Sequence, residues 1–113
     1  MRILVVEDEA LIAFMVEDML GDLGHDVVAT AMRLSQALEF AETREFDVAI
    51  LDINLDGEKT FPVADVLIRR GLPFAFATGY GRDGLEGKHQ DAAVIRKPFS
   101  AEELERTIRR LTA

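Results

Sequence analysis

The chain contains no cysteine among its 113 residues, so it can form neither a disulfide nor a thiolate metal site. It also lacks an apolar run of the roughly 20 residues that a membrane-spanning helix needs. Its N-terminus becomes acidic at Glu7, which is too early for a secretory signal peptide. We therefore expect a cytoplasmic protein.

Basic residues are also few. The chain has 13 Lys and Arg residues against 21 Asp and Glu residues, and its formal net charge at pH 7 is −8. Contacts to the phosphates of DNA or RNA, or to an anionic membrane surface, require a basic footprint. The composition therefore argues against a nucleic acid or a membrane as a direct partner.

Two glycine-rich phosphate-binding signatures are missing as well. The first apolar run leads into Glu7, Asp8 and Glu9 rather than into the glycine-rich turn of a dinucleotide fold, and no GxxxxGK(S/T) motif is present. A flavin-binding module is disfavoured because these acids stand where a phosphate-binding loop would be needed. Hydrophobic residues make up 49% of the chain, so we expect residues 1–113 to form a single domain around one core.

Short apolar runs alternate along the chain with stretches of helical periodicity. The runs predict five strands, over residues 3–6, 26–29, 46–51, 73–78 and 92–95. Four helices are predicted from apolar residues at helical spacing: Leu11, Ile12, Met15, Met19 and Leu23; Leu34, Ala37, Leu38 and Ala41; Ala64, Leu67 and Ile68, which should face inward; and Leu104, Ile108 and Leu111. The first of these helices is predicted over residues 9–22.

Strands that alternate with helices form a parallel sheet covered on both faces. The missing glycine-rich turn disfavours a dinucleotide-binding topology, which leaves the flavodoxin-like strand order 2-1-3-4-5. Between the fourth and fifth strands, residues 79–87 contain four glycines, which oppose a stable helix. We therefore predict an α/β, flavodoxin-like doubly wound fold in which helix four is short or absent.

The apolar run Val48–Asp52 ends in a carboxylate and is followed by a turn-rich loop. Such an aspartate lies at the carboxyl edge of the sheet, where open α/β folds place their sites. Because strands one and three are neighbours in the predicted order, Glu7 and Asp8 should lie beside Asp52. Close carboxylates repel each other unless a cation intervenes, and a hard ion such as Mg²⁺ (or Mn²⁺) takes oxygen ligands. The alternative is a solvated acidic cluster.

Thr78 and Lys97 follow the fourth and fifth predicted strands and should reach the same edge. Taken singly, a hydroxyl that caps a turn and an ordinary surface lysine are the commoner interpretations. Together with the acidic residues, they fit a phosphoryl-transfer site in which Asp52 is the nucleophile. The metal and the Lys97 ammonium would neutralise charge on the transferring oxygens.

With these residues in place, the chain resembles a response-regulator receiver domain over its whole length. The resemblance implies that Asp52 is the phosphorylated residue and that it helps Glu7 and Asp8 to hold Mg²⁺. The backbone carbonyl of Asn54 would be a further ligand.

The resemblance also assigns roles to three residues beyond the acidic group. Thr78 would be the switch hydroxyl of the family, and Lys97 would be the family's invariant-type lysine. The peptide bond between Lys97 and Pro98 would be cis, which a bond before proline permits at modest cost.

A Phe-Ala-Thr-Gly-Tyr run at residues 76–80 narrows the resemblance to a subgroup with many stand-alone receivers paired with histidine kinases. Val94 stands where the usual receiver has Tyr or Phe on its fifth strand, and it is too small for the usual aromatic switch. Tyr80, two residues past Thr78, is therefore predicted to be the moving side chain, the alternative being that it simply covers the end of the core. The stretch 79–87 is predicted to become ordered on phosphorylation.

The function that the resemblance implies is that of a single-domain response regulator. It would accept a phosphoryl group from a histidine kinase or a phosphotransfer protein and assist its own phosphorylation and dephosphorylation, without being an enzyme in the usual sense. Output would run through protein contacts, or the protein would be a phosphorelay intermediate or phosphate sink. The alternatives are a receiver fragment of a larger regulator or hybrid kinase, and a small Mg²⁺-dependent phosphatase. The phosphatase is disfavoured because Asn54 occupies the position where such enzymes often place a second acid.

Overall fold

The computed structural model of the protein describes residues 1–79 and 84–113. Within them, the strands are β1 (Arg2–Val6), β2 (Asp26–Ala31), β3 (Val48–Asp52), β4 (Asn54–Leu55), β5 (Glu58–Lys59), β6 (Phe74–Thr78) and β7 (Val94–Arg96). The α-helices are α1 (Ala10–Asp22), α2 (Leu34–Thr43), α3 (Phe61–Arg70) and α4 (Ala101–Leu111). None of these helices combines the length and the apolar character that crossing a bilayer requires.

Five of the strands form one parallel sheet in the order β2-β1-β3-β6-β7. Counted along this sheet alone, the order is 2-1-3-4-5, so the predicted flavodoxin-like topology is confirmed. The β1–β3 register places Val6 beside Leu51, and the residues that follow these two strands therefore meet at the carboxyl edge. The third strand begins at Val48 rather than at residue 46, because Phe46 is buried in the core without joining the ladder.

The sheet separates two apolar layers. Leu51 and Phe76 face α2 and α3, whereas Ile50 and Ile95 face α1 and α4, because successive side chains of a strand point to opposite faces. The prediction that Ile68 faces inward was wrong, since this side chain is 57% exposed. The buried face of α3 is formed by its neighbours Val63, Ala64, Val66 and Leu67.

The segment between β6 and β7 is described at residue 79 and from residue 84 onward. Its described residues contain the 3-10 helix Gly87–His89, which confirms the prediction of a short or absent helix four for this part of the chain. The buried ring of His89 stacks on Phe61 with a centroid distance of 5.2 Å, and His89 Nε2 lies 3.0 Å from Asp65 Oδ1. Because Phe61 and Asp65 belong to α3, these contacts hold the 3-10 helix on that helix. Tyr80 lies outside the described residues.

Candidate functional site

Three carboxylates meet at the carboxyl edge of the sheet. Asp52 is the last residue of β3, and Glu7 and Asp8 directly follow the neighbouring β1. One oxygen from each of the three side chains lies within 4.8 Å of the others. This oxygen-only donor set suits a hard divalent cation such as Mg²⁺, which binds through one or two carboxylates together with water and phosphate oxygens. The residues present therefore fit the metal.

Lys97 supplies the positive charge at the same edge. It follows β7, and its Nζ donates to Glu7 Oε1 at 2.8 Å and to Asp52 Oδ1 at 3.1 Å. Glu7 is buried, with only 4% of its surface exposed, so its charge needs this partner. The ammonium group thus bridges two of the three carboxylates.

The electrostatic environment of Asp52 disfavours its charged form. Burial raises the pKa of Asp52 to about 7 from its ordinary value of 3.8, with a further contribution from the charge of Glu7, and the Lys97 ammonium only partly opposes this. Burial alone would lower the pKa of Lys97, but the hydrogen bond to Glu7 and the charge of Asp52 raise it above its ordinary value. The single ammonium of Lys97 therefore does not fully offset the burial of these carboxylates, and a bound cation would supply further positive charge.

Backbone amides orient two of the acidic side chains. The N–H of Glu9 donates to Glu7 Oε2 at 3.1 Å, and the N–H of Asp56 donates to Asp8 Oδ2 at 2.9 Å. Asp56 lies at the tip of the β4–β5 hairpin, in a region that the sequence indicated only as a turn-rich loop. The available signal was the dipeptide Asp56-Gly57, since Asp-Gly is a typical hairpin turn.

The structure places Thr78 at the last position of β6, the strand next to β3. Asp52 pairs with Ala77, so Thr78 lies one residue beyond Asp52 on the adjacent strand. Its side chain is buried, and its carbonyl accepts the N–H of Lys97 at 2.8 Å. Gly84 also lies close, because a Cβ built there would be 3.6 Å from Thr78 Oγ1.

Two predicted features concern the backbone near the site. The peptide bond between Lys97 and Pro98 is cis. Asn54 begins β4 two residues after Asp52, with an exposed side chain, and its backbone carbonyl as a metal ligand stays a prediction. The structure thus brings Glu7, Asp8, Asp52 and Lys97 into one cluster, with Thr78 at its border.

Replacing Asp8 with asparagine is expected to weaken Mg²⁺ binding by at least tenfold, because even residues that only orient a metal ligand contribute roughly 10- to 100-fold to affinity. Isothermal titration calorimetry with MgCl₂ would measure the change. Asp22→Asn is the matched control, since Asp22 is an exposed acid at the far end of α1. Equal Mg²⁺ affinity in Asp8→Asn and the wild type would mean that the metal binds elsewhere.

A doubly wound sheet with an acidic cluster at the carboxyl ends of two central strands, and a lysine just after its edge strand β7, is the architecture of a phosphoacceptor signalling domain. The family model of the response regulator receiver domain matches residues 3–109, and the chain belongs to this family. Receiver domains are regulatory rather than catalytic in the usual sense, and they bind Mg²⁺ through acidic residues. The family assignment thus agrees with the resemblance drawn from the sequence.

Solved structures and curated proteins agree with this assignment. The solution structure of SdrG from Sphingomonas melonis Fr1 superimposes with a TM-score of 0.87 at 42% identity, covering 99% of this chain and 96% of that one. The transcriptional regulatory protein PdtaR of Mycobacterium tuberculosis is 31% identical over 91% of this chain and 52% of its own length. The phyllosphere-induced regulator PhyR of Methylorubrum extorquens is 35% identical over 87% of this chain and 38% of its own length. The chain thus spans about half or less of these two curated relatives.

Proposed function

We propose that this chain is a single-domain response regulator that accepts a phosphoryl group on Asp52 from a histidine kinase or a phosphotransfer protein, in a reaction that depends on Mg²⁺. The observation that carries the proposal is the environment of Asp52. Its carboxylate ends a central strand, touches Lys97 and lies within a few ångströms of two further acids. This arrangement supplies a nucleophile and a source of charge compensation at one point of the surface.

In the proposed transfer, an Asp52 carboxylate oxygen forms a bond to phosphorus while the bond between phosphorus and the donor's histidine nitrogen breaks. The electron pair of that bond returns to the donor's imidazole. Mg²⁺ held by Glu7, Asp8 and Asp52 would neutralise charge on the phosphoryl oxygens. Lys97 already lies against Asp52, so its ammonium can shift to a phosphoryl oxygen and form a charge-assisted hydrogen bond.

The readout that we propose begins at Thr78. Its hydroxyl would turn toward a phosphoryl oxygen, since phosphorylation adds charge and strong acceptors to the site. Gly84 packs beside this hydroxyl, so the movement would reach the segment that precedes β7. Tyr80 as the moving side chain, and the Phe-Ala-Thr-Gly-Tyr subgroup, remain part of this proposal on the strength of the sequence.

Output through protein contacts is proposed by analogy with two relatives of solved structure. This chain aligns with 96% of the length of SdrG, and that similarity supports the hypothesis of a stand-alone receiver. A solved PhyR from Bartonella quintana, 26% identical with a TM-score of 0.81, is described as an anti-anti-sigma factor, which is a function exercised on other proteins. We place the protein in the cytoplasm, where histidine kinases present their phosphohistidine.

The surface for the phosphoryl donor is proposed on α1. Three apolar side chains of this helix project into solvent, with exposures of 73% for Leu11, 66% for Phe14 and 50% for Met15. Met15 also lines a groove of about 320 Å³, which is formed mostly by apolar side chains and extends to Lys97. Since Lys97 contacts Asp52, an apolar helix of the histidine-bearing partner seated here would reach the phosphoacceptor.

Phe14→Ser is expected to slow transfer from a phosphorylated histidine kinase by about tenfold or more, because an exposed aromatic anchor is a typical binding hot spot. Labelling by a small phosphodonor, which needs no docking, should be unchanged. The matched control is Ile68→Ser, which removes an apolar side chain of similar exposure from α3. Equal slowing by both variants, or slowed labelling by the small donor, would contradict docking on α1.

The proposed function is tested by incubating the wild-type protein with acetyl phosphate and MgCl₂ and measuring its intact mass. We expect one added phosphoryl group, which should be absent when EDTA replaces the metal. The phosphatase alternative predicts steady turnover of a generic phosphate ester instead. A wild-type protein that gains no phosphoryl group under these conditions would overturn the proposed function.

A further inference from the structure

We propose that the β4–β5 hairpin, together with Thr60, holds the metal site in its binding geometry before the metal arrives, which makes Thr60 and Gly57 positioning residues. The inference rests on the proposed function, because it concerns the same Mg²⁺-dependent site. It goes beyond that function because Gly57 and Thr60 contribute no ligand of their own. They act on the site through the backbone of Asp52 and through the side chain of Asp8.

Thr60 connects the phosphoacceptor strand to α3. Its side chain is fully buried, and its hydroxyl donates to the carbonyl of Asp52 at 2.5 Å, with the carbonyl of Ile53 as a second acceptor at 3.1 Å. Thr60 also occupies the N-cap position of α3, where a threonine usually bonds to the helix backbone, but here its side chain makes no cap hydrogen bond. The hydroxyl therefore bonds to the backbone at the end of β3 instead of capping α3.

The backbone of Thr60 reinforces this connection from both sides. Its N–H donates to the carbonyl of Ile53 at 2.8 Å, which closes the loop that contains the hairpin. Its own carbonyl accepts the N–H groups of Val63 and Ala64 in the first turn of α3. One buried residue thus fixes the exit of the strand, the base of the hairpin and the start of the helix.

The tip of the hairpin reaches the opposite side of the site. Asp56 and Gly57 both have positive φ, 49° and 90°, which is the combination that a two-residue hairpin turn of this kind requires. The turn aims the N–H of Asp56 at Asp8 Oδ2, 2.9 Å away. Leu55 is 1% exposed and anchors the hairpin in the core, so the tip is held in place rather than free to swing.

These contacts matter because Mg²⁺ demands near-ideal geometry and tolerates little displacement of its ligands. Asp8 lies on the loop after β1, and the structure gives its carboxylate the Asp56 amide as a hydrogen-bond donor. A hydrogen bond that orients a ligand typically contributes 10- to 100-fold to metal affinity. The hairpin accordingly supplies pre-organisation that the strands alone do not.

The first test removes the Thr60 hydroxyl, restores it as serine, and compares it with the hydroxyl of a second buried threonine. Thr60→Val keeps the shape and removes the donor, and we expect its Mg²⁺ affinity, measured by isothermal titration calorimetry, to fall about tenfold. Thr60→Ser should restore most of the affinity, because it returns the hydroxyl. Thr107→Val is the control, since Thr107 is also buried and donates to a backbone carbonyl, that of Glu103 within α4. Unchanged Mg²⁺ affinity in Thr60→Val would overturn the role of Thr60.

The second test compares two glycines with the same backbone strain. Gly57 and Gly24 have φ of 90° and 87°, and neither has an atom within 4 Å of a built Cβ, so alanine strains both equally. Gly57→Ala should lower Mg²⁺ affinity several-fold and speed hydrogen exchange of the Asp56 amide, whereas Gly24→Ala should lower thermal stability only. Wild-type Mg²⁺ affinity in Gly57→Ala would overturn the role of the turn. Equal losses of Mg²⁺ affinity in Gly57→Ala and Gly24→Ala would also overturn it, because the effect would then come from general stability. A wild-type protein that binds no Mg²⁺ would instead overturn the proposed function together with this inference.

Discussion

Replacing Asp52 with asparagine is expected to abolish phosphorylation by acetyl phosphate and Mg²⁺. Asparagine keeps the size of the side chain but has no anionic oxygen to attack phosphorus, so no acyl phosphate can form. The neighbouring acids are poor substitutes, since Glu7 is buried and hydrogen-bonded to Lys97 and Asp8 accepts the Asp56 amide. Intact-mass measurement should show one phosphoryl group on the wild type and none on the variant.

A second aspartate controls for the loss of a carboxylate as such. Asp91 is exposed in the loop before β7, and Asp91→Asn should be labelled like the wild type. Partial labelling of Asp52→Asn would show that another carboxylate can act as acceptor, and peptide mapping would identify it. Full labelling of Asp52→Asn would refute the assignment of Asp52.

The residues of the cluster could be predicted from the sequence because topology alone determines where they meet. An apolar run that ends in a carboxylate marks the carboxyl edge of the sheet, and the strand order makes β1 and β3 neighbours. Glu7, Asp8 and Asp52 therefore had to converge, and Lys97 reached them from β7. No side-chain detail was needed for that inference.

The contacts that orient the cluster could not be predicted in this way. The strands of the hairpin have two residues each, too few for a periodic pattern, and only Asp56-Gly57 hinted at the turn. Thr60 stands before Phe61 and Pro62, a context typical of a helix N-cap, yet its hydroxyl turns inward to Asp52. Which partner a buried hydroxyl selects depends on tertiary packing rather than on local sequence.

Anchoring of the segment before β7 was missed for a similar reason. Its glycines predicted the loss of a regular helix, and that prediction was confirmed for the described residues. His89 gave no comparable signal, because its role comes from Phe61 and Asp65, which lie more than twenty positions away in the chain. Similarly, the apolar spacing of Leu11 in α1 did not reveal that this side chain is exposed.

Without Mg²⁺, Asp52→Asn is expected to be more stable than the wild type at pH 8, and this difference should shrink as the pH falls. Burial raises the pKa of Asp52 to about 7 in the folded protein, whereas the unfolded chain has the ordinary value of 3.8. Between these values the folded protein binds more protons than the unfolded chain, so its stability falls as the pH rises and levels off above about 7. Asparagine has no such titration.

The size of the effect follows from the same shift. At about 1.36 kcal/mol per unit of pKa, the full shift of the Asp52 pKa corresponds to about 4 kcal/mol of unfolding free energy. Partial contact of Asp52 with solvent should reduce this to about 2 kcal/mol. Urea unfolding of both proteins in EDTA from pH 5 to pH 8 would measure the gap, with Asp91→Asn as the control that should show none. Adding Mg²⁺ at pH 8 should close the gap, because binding to the folded wild type stabilises it. A stability difference that stayed constant from pH 5 to pH 8 would mean that the Asp52 carboxylate is charged throughout and already compensated by Lys97.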